Sequence, residues 1–126
     1  MRVIKYRGFN PKNREWLYGF YLQNRGFHFV CPDEWAVQKS WDDYQIDPSS
    51  LGQFTGMKDC QKREIYEGDT VKAAPFKGSK MHFTGKVVFD RFTASFVYEV
   101  GPDYIRMKQD DWMEIQDPKP EKEETK

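Results

Sequence analysis

This 126-residue chain contains four soft zinc ligands, two cysteines and two histidines. His28 lies close to Cys31 in the sequence, whereas Cys60 and His82 each stand alone. Structural zinc sites usually present their ligands as closely spaced pairs. Because only one such pair is present, the sequence favours Cys31 as a small apolar core residue and predicts neither a metal nor another cofactor.

A cluster of carboxylates surrounds Gly68 and is formed by Glu64, Glu67 and Asp69. Paired carboxylates can act as general acid and base or bind a cation. The same residues are typical of a turn in which an aspartate accepts hydrogen bonds from backbone N–H groups, and this interpretation is favoured. The chain also lacks a G-x-S-x-G elbow and a glycine-rich phosphate loop, so it is predicted not to be an enzyme.

Cations lie near aromatic residues between positions 72 and 92, as in surfaces that stack bases and follow a phosphate backbone. The candidate residues for nucleic-acid binding are Lys72, Lys77, Lys80, Lys86 and Arg91, beside Phe76, Phe83 and Phe92. Against this function, 20 basic side chains balance 20 acidic ones, and the isoelectric point is about 6.7. Binding of nucleic acid by a small β-barrel is therefore the alternative function.

Aromatic residues make up 17% of the chain and point to protein binding. In the predicted strand 15–23, apolar side chains lie on both faces, with Leu17 and Tyr21 opposite Trp16, Tyr18, Phe20 and Leu22. Such a strand is either buried on both sides or part of an interface. Trp16, Tyr18 and Tyr21 are the candidate interface residues, and the predicted partner is another protein or a second copy in a homo-oligomer. A crowded aromatic core explains the same pattern equally well.

Short alternating segments, separated by glycine-rich turns, predict a mainly β fold with a small SH3-like barrel portion. The predicted organisation is a β-rich lobe at 1–52, the SH3-like portion at 53–116 and a charged, disordered tail at 117–126. At most two short helical turns are expected. One of them is capped by Asp47, begins at Pro48 and ends at Gly52. Residues 32–46 are ambiguous between helical and extended structure.

Local patterns predict three further elements. Residues 8–14, which include Asn10, and Asn24-Arg25-Gly26 are predicted to form turns, because Asn, Pro and Gly suit the backbone angles of turns. Residues 93–100 alternate between apolar and polar side chains and are predicted to form a strand.

The chain begins without the apolar core of a secretion signal, and no segment approaches the roughly 20 apolar residues of a membrane span. The sequence thus predicts a cytoplasmic protein that does not enter a membrane. In that compartment Cys31 and Cys60 are expected to be reduced thiols.

Residues 54–71, which read F-T-G-M-K-D-C-Q-K-R-E-I-Y-E-G-D-T-V, resemble the signature of the YopX-type proteins of phages and prophages. The matching structural positions are Gly56, Asp59, Glu67, Gly68 and Asp69. A weaker similarity covers Arg7-Gly8-Phe9 and Glu15-Trp16-Leu17-Tyr18-Gly19. Where family members have Asn-Gly at the tip of this segment, this chain has Cys60-Gln61-Lys62, which leaves the type of turn open. The resemblance implies a phage or prophage gene product, and it implies no reaction, because no catalytic or binding site is established for the family.

Overall fold

The structure is a computed structural model that describes residues 4–32 and 40–119. Within these ranges the chain is mainly β, as predicted, with two short 3₁₀ turns at Trp41–Asp43 and Pro48–Ser50. The strands are β1 (Tyr6–Asn10), β2 (Glu15–Asn24), β3 (Phe27–Cys31), β4 (Gly52–Lys58), β5 (Glu64–Tyr66), β6 (Thr70–Ala74), β7 (Phe83–Asp90), β8 (Ser95–Val100), β9 (Asp103–Arg106) and β10 (Trp112–Ile115).

The strands form two antiparallel five-stranded sheets, with the orders β3-β2-β1-β4-β5 and β10-β6-β7-β8-β9. The chain divides into two compact units. Unit 1 runs to Gln53 and resumes at Lys119, and unit 2 is Phe54–Pro118. Strand β4 begins in unit 1, paired with β1, and continues in unit 2, paired with β5. In the described part of the chain both sheets end in edge strands and do not close into a barrel, so the SH3-like portion stays a prediction.

Unit 1 is built around β2, whose two faces both carry apolar clusters. One face packs Leu17 with Val30 and Ile46. Phe29 and Cys31 pack with Tyr44 in a second cluster that includes Leu22. This arrangement confirms the prediction that β2 is apolar on both faces.

Unit 2 has its core on one face of its sheet. The buried side chains on that face come from β6, β7, β8 and β10 and include Val71, Ala73, Val87, Tyr98, Met113 and Ile115. Burial, followed by the nearby Asp111 carboxylate, raises the pKa of the Tyr98 hydroxyl well above its usual range. Tyr98 is therefore a neutral core residue.

Two elements were predicted with one wrong boundary each, the helical turn at Pro48 and strand β8. Asp47 accepts a hydrogen bond from the Ser49 N–H at 3.0 Å, and Pro48 begins the second 3₁₀ turn, as predicted. The turn is closed by Leu51 in extended conformation, however, and Gly52 already starts β4. Strand β8, expected from Thr93, begins at Ser95 because Ala94 has a φ of 52° and belongs to the preceding turn.

Two segments that the sequence analysis singled out, 32–46 and 117–126, are described only in part. Of the segment 32–46, residues 33–39 lie outside the described residues, and the remainder contains the 3₁₀ turn at Trp41–Asp43. The predicted tail at 117–126 lies mostly outside them too. Its first residue, Asp117, accepts a hydrogen bond from the Thr70 N–H at 2.9 Å and so extends the contacts of unit 2.

The signature segment forms β4, a turn, β5 and the entry into β6. At the entry, Gly68 has a φ of 98° and the buried Asp69 carboxylate accepts the Tyr66 N–H at 2.8 Å. This confirms the predicted glycine turn and aspartate cap. In β4, Gly56 has a φ of 87° inside a register shift of the β4–β5 pair. The two glycines are thus required by backbone geometry.

Asp59 is the hub of the turn between β4 and β5. Its Oδ1 accepts the N–H groups of Gln61 and Arg63 at 3.0 and 2.9 Å. Its Oδ2 accepts the Ile115 N–H at 3.1 Å and forms an ion pair with the Arg63 guanidinium at 2.8 Å. Burial by itself would raise the pKa of the Asp59 carboxyl, but these hydrogen bonds outweigh it and the pKa lies below 3.8.

Replacing Lys62 with glycine should stabilise the protein by about 0.5–1 kcal/mol. Lys62 has a φ of 64°, a left-handed conformation in which a Cβ atom is unfavourable, and it occupies the position of the family's glycine. Chemical denaturation at equilibrium measures the gain. The matched control is Lys62→Ala, which removes the long side chain but keeps the Cβ atom and should bring no gain. Equal stabilisation by both variants would contradict the strain argument.

Candidate interaction surface

An aromatic groove lies at the tip of the β2–β3 hairpin in unit 1. It encloses a cavity of about 210 Å³ lined by Leu22, Asn24, Arg25, Phe27, Phe29 and Trp41. Phe29 is buried, whereas Phe27 and Trp41 expose 54% and 51% of their surface. The groove therefore combines an apolar lining with exposed aromatic side chains, an arrangement typical of interaction sites.

The hairpin positions most of the groove through its turn. Arg25 and Gly26 have φ values of 52° and 81°, as a two-residue type I′ turn requires, which confirms the predicted tight turn. The turn sets the register in which Leu22 faces Phe29 and Asn24 faces Phe27. Register partners share one face of the sheet, so the hairpin brings these side chains together. Arg25 is exposed at the turn and supplies a positive charge.

Trp41 reaches the groove from a distant part of the sequence. Its ring packs edge-on against Phe29, with 5.4 Å between the ring centroids. The fully buried Asn10 fixes the segment that carries it, because the Asn10 amide donates to the carbonyl oxygens of Asp42 and Gln45 at 2.9 and 2.7 Å. Asn10 is thus a positioning residue for Trp41.

An ion pair at the surface adds to this attachment. Asp43 accepts hydrogen bonds from the Asn13 amide at 3.0 Å and from the Lys12 ammonium at 3.1 Å. These two bonds, led by that from Asn13, lower the pKa of the Asp43 carboxyl to about 2. Asp43 therefore stays ionised throughout the physiological pH range.

The interface residues predicted on β2 do not line the groove. Trp16 and Tyr18 are half-buried. The Trp16 ring packs against Phe9 at 5.4 Å, with the Arg7 guanidinium 5.2 Å from its centroid. Its indole Nε1 is buried and has no hydrogen-bond partner in the described part of the chain. Trp16 is held by these neighbours within unit 1.

Tyr21, the third predicted residue, is separated from the other two by the alternation of the strand. It stacks on His28 with the ring planes 10° apart, and its hydroxyl group hydrogen-bonds to His28 Nδ1. Tyr6 packs against it at 5.7 Å. Sequence reasoning missed Arg25, Phe27 and Trp41 as groove residues. The available signal was the type I′ turn beside paired apolar positions.

The candidate cations for nucleic-acid binding are divided between a strand face and two loops. The register places Lys72 opposite Glu114 and Lys86 opposite Glu99, so a carboxylate lies across from each strand cation. Lys77 and Lys80 belong to the loop between β6 and β7, and Arg91 to the turn after β7.

The aromatic residues of that segment are divided as well. Phe83 packs edge-on against the buried Tyr98, with 5.1 Å between centroids, and so contributes to the core of unit 2. Phe76 and Phe92 are exposed. Of the three candidate aromatic residues, Phe76 and Phe92 are therefore the ones accessible to a base.

The carboxylates near Gly68 and the two cysteines, which were considered as catalytic or metal-binding groups, lie in structural surroundings. Glu67 is half-buried beside Gly68, and Glu64 accepts a hydrogen bond from the Tyr66 hydroxyl at 3.0 Å. Burial raises the pKa of both cysteine thiols, with Asp59 adding to the effect at Cys60. Among residues 4–32 and 40–119, no group of three or more His, Cys, Asp or Glu side chains is arranged to hold a metal.

None of the described residues forms a helix that is long and apolar enough to cross a membrane.

The fold and the signature contacts define a mainly β protein whose best-defined sequence motif is structural. A family model described as YopX protein matches residues 5–119, and the chain belongs to this family. Searches of curated proteins and of solved structures gave no match.

Proposed function

We propose that this chain is a phage-type, non-enzymatic cytoplasmic protein that binds a protein partner through the aromatic groove. The observation that carries the proposal is the half-exposure of Phe27 and Trp41 around one cavity. Single exposed apolar residues are common on protein surfaces, but exposed aromatic residues that share a cavity are typical of interaction sites. Family membership supports the phage-type assignment.

The groove fits one side chain of a partner. Its volume of about 210 Å³ lies below the usual range for small-molecule pockets, roughly 300–1,000 Å³. An aliphatic or aromatic side chain inserted among Leu22, Phe27 and Trp41 would remove apolar surface from water on both partners. Aromatic residues are enriched among those that dominate binding energy at interfaces.

Arg25 indicates the charge of the partner. It is exposed in the turn that lines the groove, and a guanidinium group binds carboxylates in a two-pronged geometry. The proposed ligand is therefore a protein segment that carries an apolar side chain next to an aspartate or glutamate.

A displayed library of random peptides, selected on the purified protein, tests this function. The expected peptides place an aliphatic or aromatic residue beside an acidic one. Phe27→Asp should weaken their binding at least tenfold, because it puts a carboxylate into the apolar groove. Arg25→Glu should change the preference from acidic to basic neighbours. The matched control Phe92→Asp alters a fully exposed phenylalanine of unit 2 and should have no effect.

Two results would contradict the proposal. One is the absence of any enriched sequence. The other is enrichment that survives both groove variants, which would place binding elsewhere on the molecule.

Nucleic-acid binding by an SH3-like portion is the second candidate, and the exposure of Phe76 and Phe92 beside Lys77 and Arg91 favours it. Affinity for a single-stranded oligonucleotide would then fall steeply with salt, with a log–log slope of about −0.7 per phosphate contact. Lys77→Glu combined with Lys80→Glu would abolish it. A shallow salt dependence would contradict nucleic-acid binding, and protein binding would then stand as the proposed function.

A further inference from the structure

Strand β9 is an exposed edge of the sheet in unit 2. It is the last strand in the order β10-β6-β7-β8-β9, and all four of its residues are exposed. Tyr104 and Ile105 expose 64% and 37% of their surface. The outer edge of such a strand presents backbone donors and acceptors that can pair with another strand.

We propose that two copies of this chain associate through β9, side by side and antiparallel, with Ile105 opposite Ile105 on the two-fold axis. Strand β9 belongs to unit 2, so this association does not depend on the groove in unit 1. The occupant of the edge is a second copy of the chain.

Symmetry limits the possible registers. When a two-fold axis relates two copies of an edge strand within one continuous antiparallel sheet, the axis is perpendicular to the sheet. Each residue therefore lies on the same face of the sheet in both copies. Directly opposite residues must share a face, because side chains alternate along each strand. Within β9 this leaves two central choices, a register centred on Tyr104 or one centred on Ile105.

The side chains favour the register centred on Ile105. Ile105 is the register partner of Tyr98, which faces Val87, so the three form a row on the core face of the sheet. Pairing Ile105 with its copy continues this apolar row into the second molecule. The alternative centre would place the Asp103 carboxylate opposite Ile105, which contributes no favourable contact.

The opposite face of β9 is complementary in the same register. Tyr104 then lies opposite Arg106 of the second copy on both sides of the axis, and guanidinium groups bind favourably over aromatic rings. Glu99 is the register partner of Tyr104 on the inner side of that ring, and Lys86 lies opposite Glu99 in turn. The electrostatic pattern along this face is therefore self-complementary.

The dimer should be weak because β9 is short. A four-residue edge buries much less than the area of about 1,600 Å² found in standard interfaces. We therefore expect a dimer that forms reversibly as the concentration rises from about 1 µM to 1 mM.

Analytical ultracentrifugation of the full chain, with a charge-swap pair at the axis, tests the proposal. Ile105→Lys alone and Ile105→Glu alone should each be monomeric over the range in which the wild type dimerises, because like charges meet on the axis. An equimolar mixture of the two variants should dimerise again, because lysine then faces glutamate. Recovery on mixing also shows that each variant is folded.

Controls separate this result from the groove. Phe92→Lys places a charge on a fully exposed residue away from β9, and Trp41→Ala changes the groove of unit 1; both should dimerise like the wild type. A wild-type protein that is monomeric up to about 1 mM would overturn the β9 dimer. So would single variants that still dimerise, or a mixture that does not.

Discussion

Replacing Asp59 with asparagine should lower the free energy of unfolding by about 3 kcal/mol. The carboxylate side chain is fully buried and accepts from three backbone N–H groups and the Arg63 guanidinium. An asparagine amide offers one acceptor oxygen in place of two, and its NH₂ group meets donors. The Ile115 N–H or the guanidinium then loses its partner inside the protein.

Urea denaturation at neutral pH measures this loss. Asp110→Asn is the matched control, because it removes an exposed carboxylate from the same unit and should change stability by less than about 0.5 kcal/mol. Equal midpoints for the two variants would contradict the role of Asp59 as the hub of the turn.

Asp59 should also make the stability of the fold depend on pH. The pKa of Asp59 is lowered in the folded state from 3.8, so its carboxylate stabilises the fold above that pH. This contribution decreases as the pH falls below 3.8 through the folded-state pKa. The difference in stability between wild type and Asp59→Asn should therefore narrow in acid.

The sequence correctly predicted those strands and turns that are determined by their own residues. Apolar residues on both faces of β2 correspond to two clusters that pack on it. Asn24-Arg25-Gly26 indicated a tight turn, and the turn has the two positive φ values that a hairpin of right-handed twist requires. Gly68 and Asp69 were recognised for the same reason, since a turn depends on its own residues.

The complete groove could not be predicted, because Trp41 comes from a position distant in sequence from the hairpin. The segment that carries Trp41 is held by hydrogen bonds from the Asn10 amide to the carbonyl oxygens of Asp42 and Gln45. The sequence alone indicated Asn10 only as part of a turn. Trp16 was predicted as an interface residue, and its ring packs against Phe9 and the Arg7 guanidinium of the neighbouring strand. Whether an aromatic residue is covered depends on the register between strands, which one strand's sequence does not contain.

The candidate cations for nucleic-acid binding show that the charge around a residue also depends on the neighbouring strands. Lys72 and Lys86 were candidates for binding phosphate groups because they lie near aromatic residues in the sequence. The carboxylates that face them, Glu114 and Glu99, belong to neighbouring strands. Cross-strand pairs of opposite charge stabilise a sheet and weaken its attraction for an anion.

Replacing Gly19 with alanine should destabilise the protein by about 3 kcal/mol or more and should also abolish binding at the groove. A Cβ atom at Gly19 would lie 2.0 Å from the carbonyl oxygen of Cys31 and 2.6 Å from its carbonyl carbon. Both are backbone atoms at the end of β3, so the strand itself would have to move. Since β3 carries Phe27 and Phe29, its displacement would open the groove.

Gly26→Ala in the same hairpin is the matched control. A Cβ atom there meets nothing within 4 Å, so the cost is limited to the left-handed φ of 81°, about 1 kcal/mol. This variant should keep its affinity for the selected peptides, because Phe27, Phe29 and Trp41 stay in place. Chemical denaturation and a peptide titration on both variants separate the two effects. If Gly19→Ala were as stable as Gly26→Ala and bound equally well, the close approach of β3 to β2 would not hold the groove together.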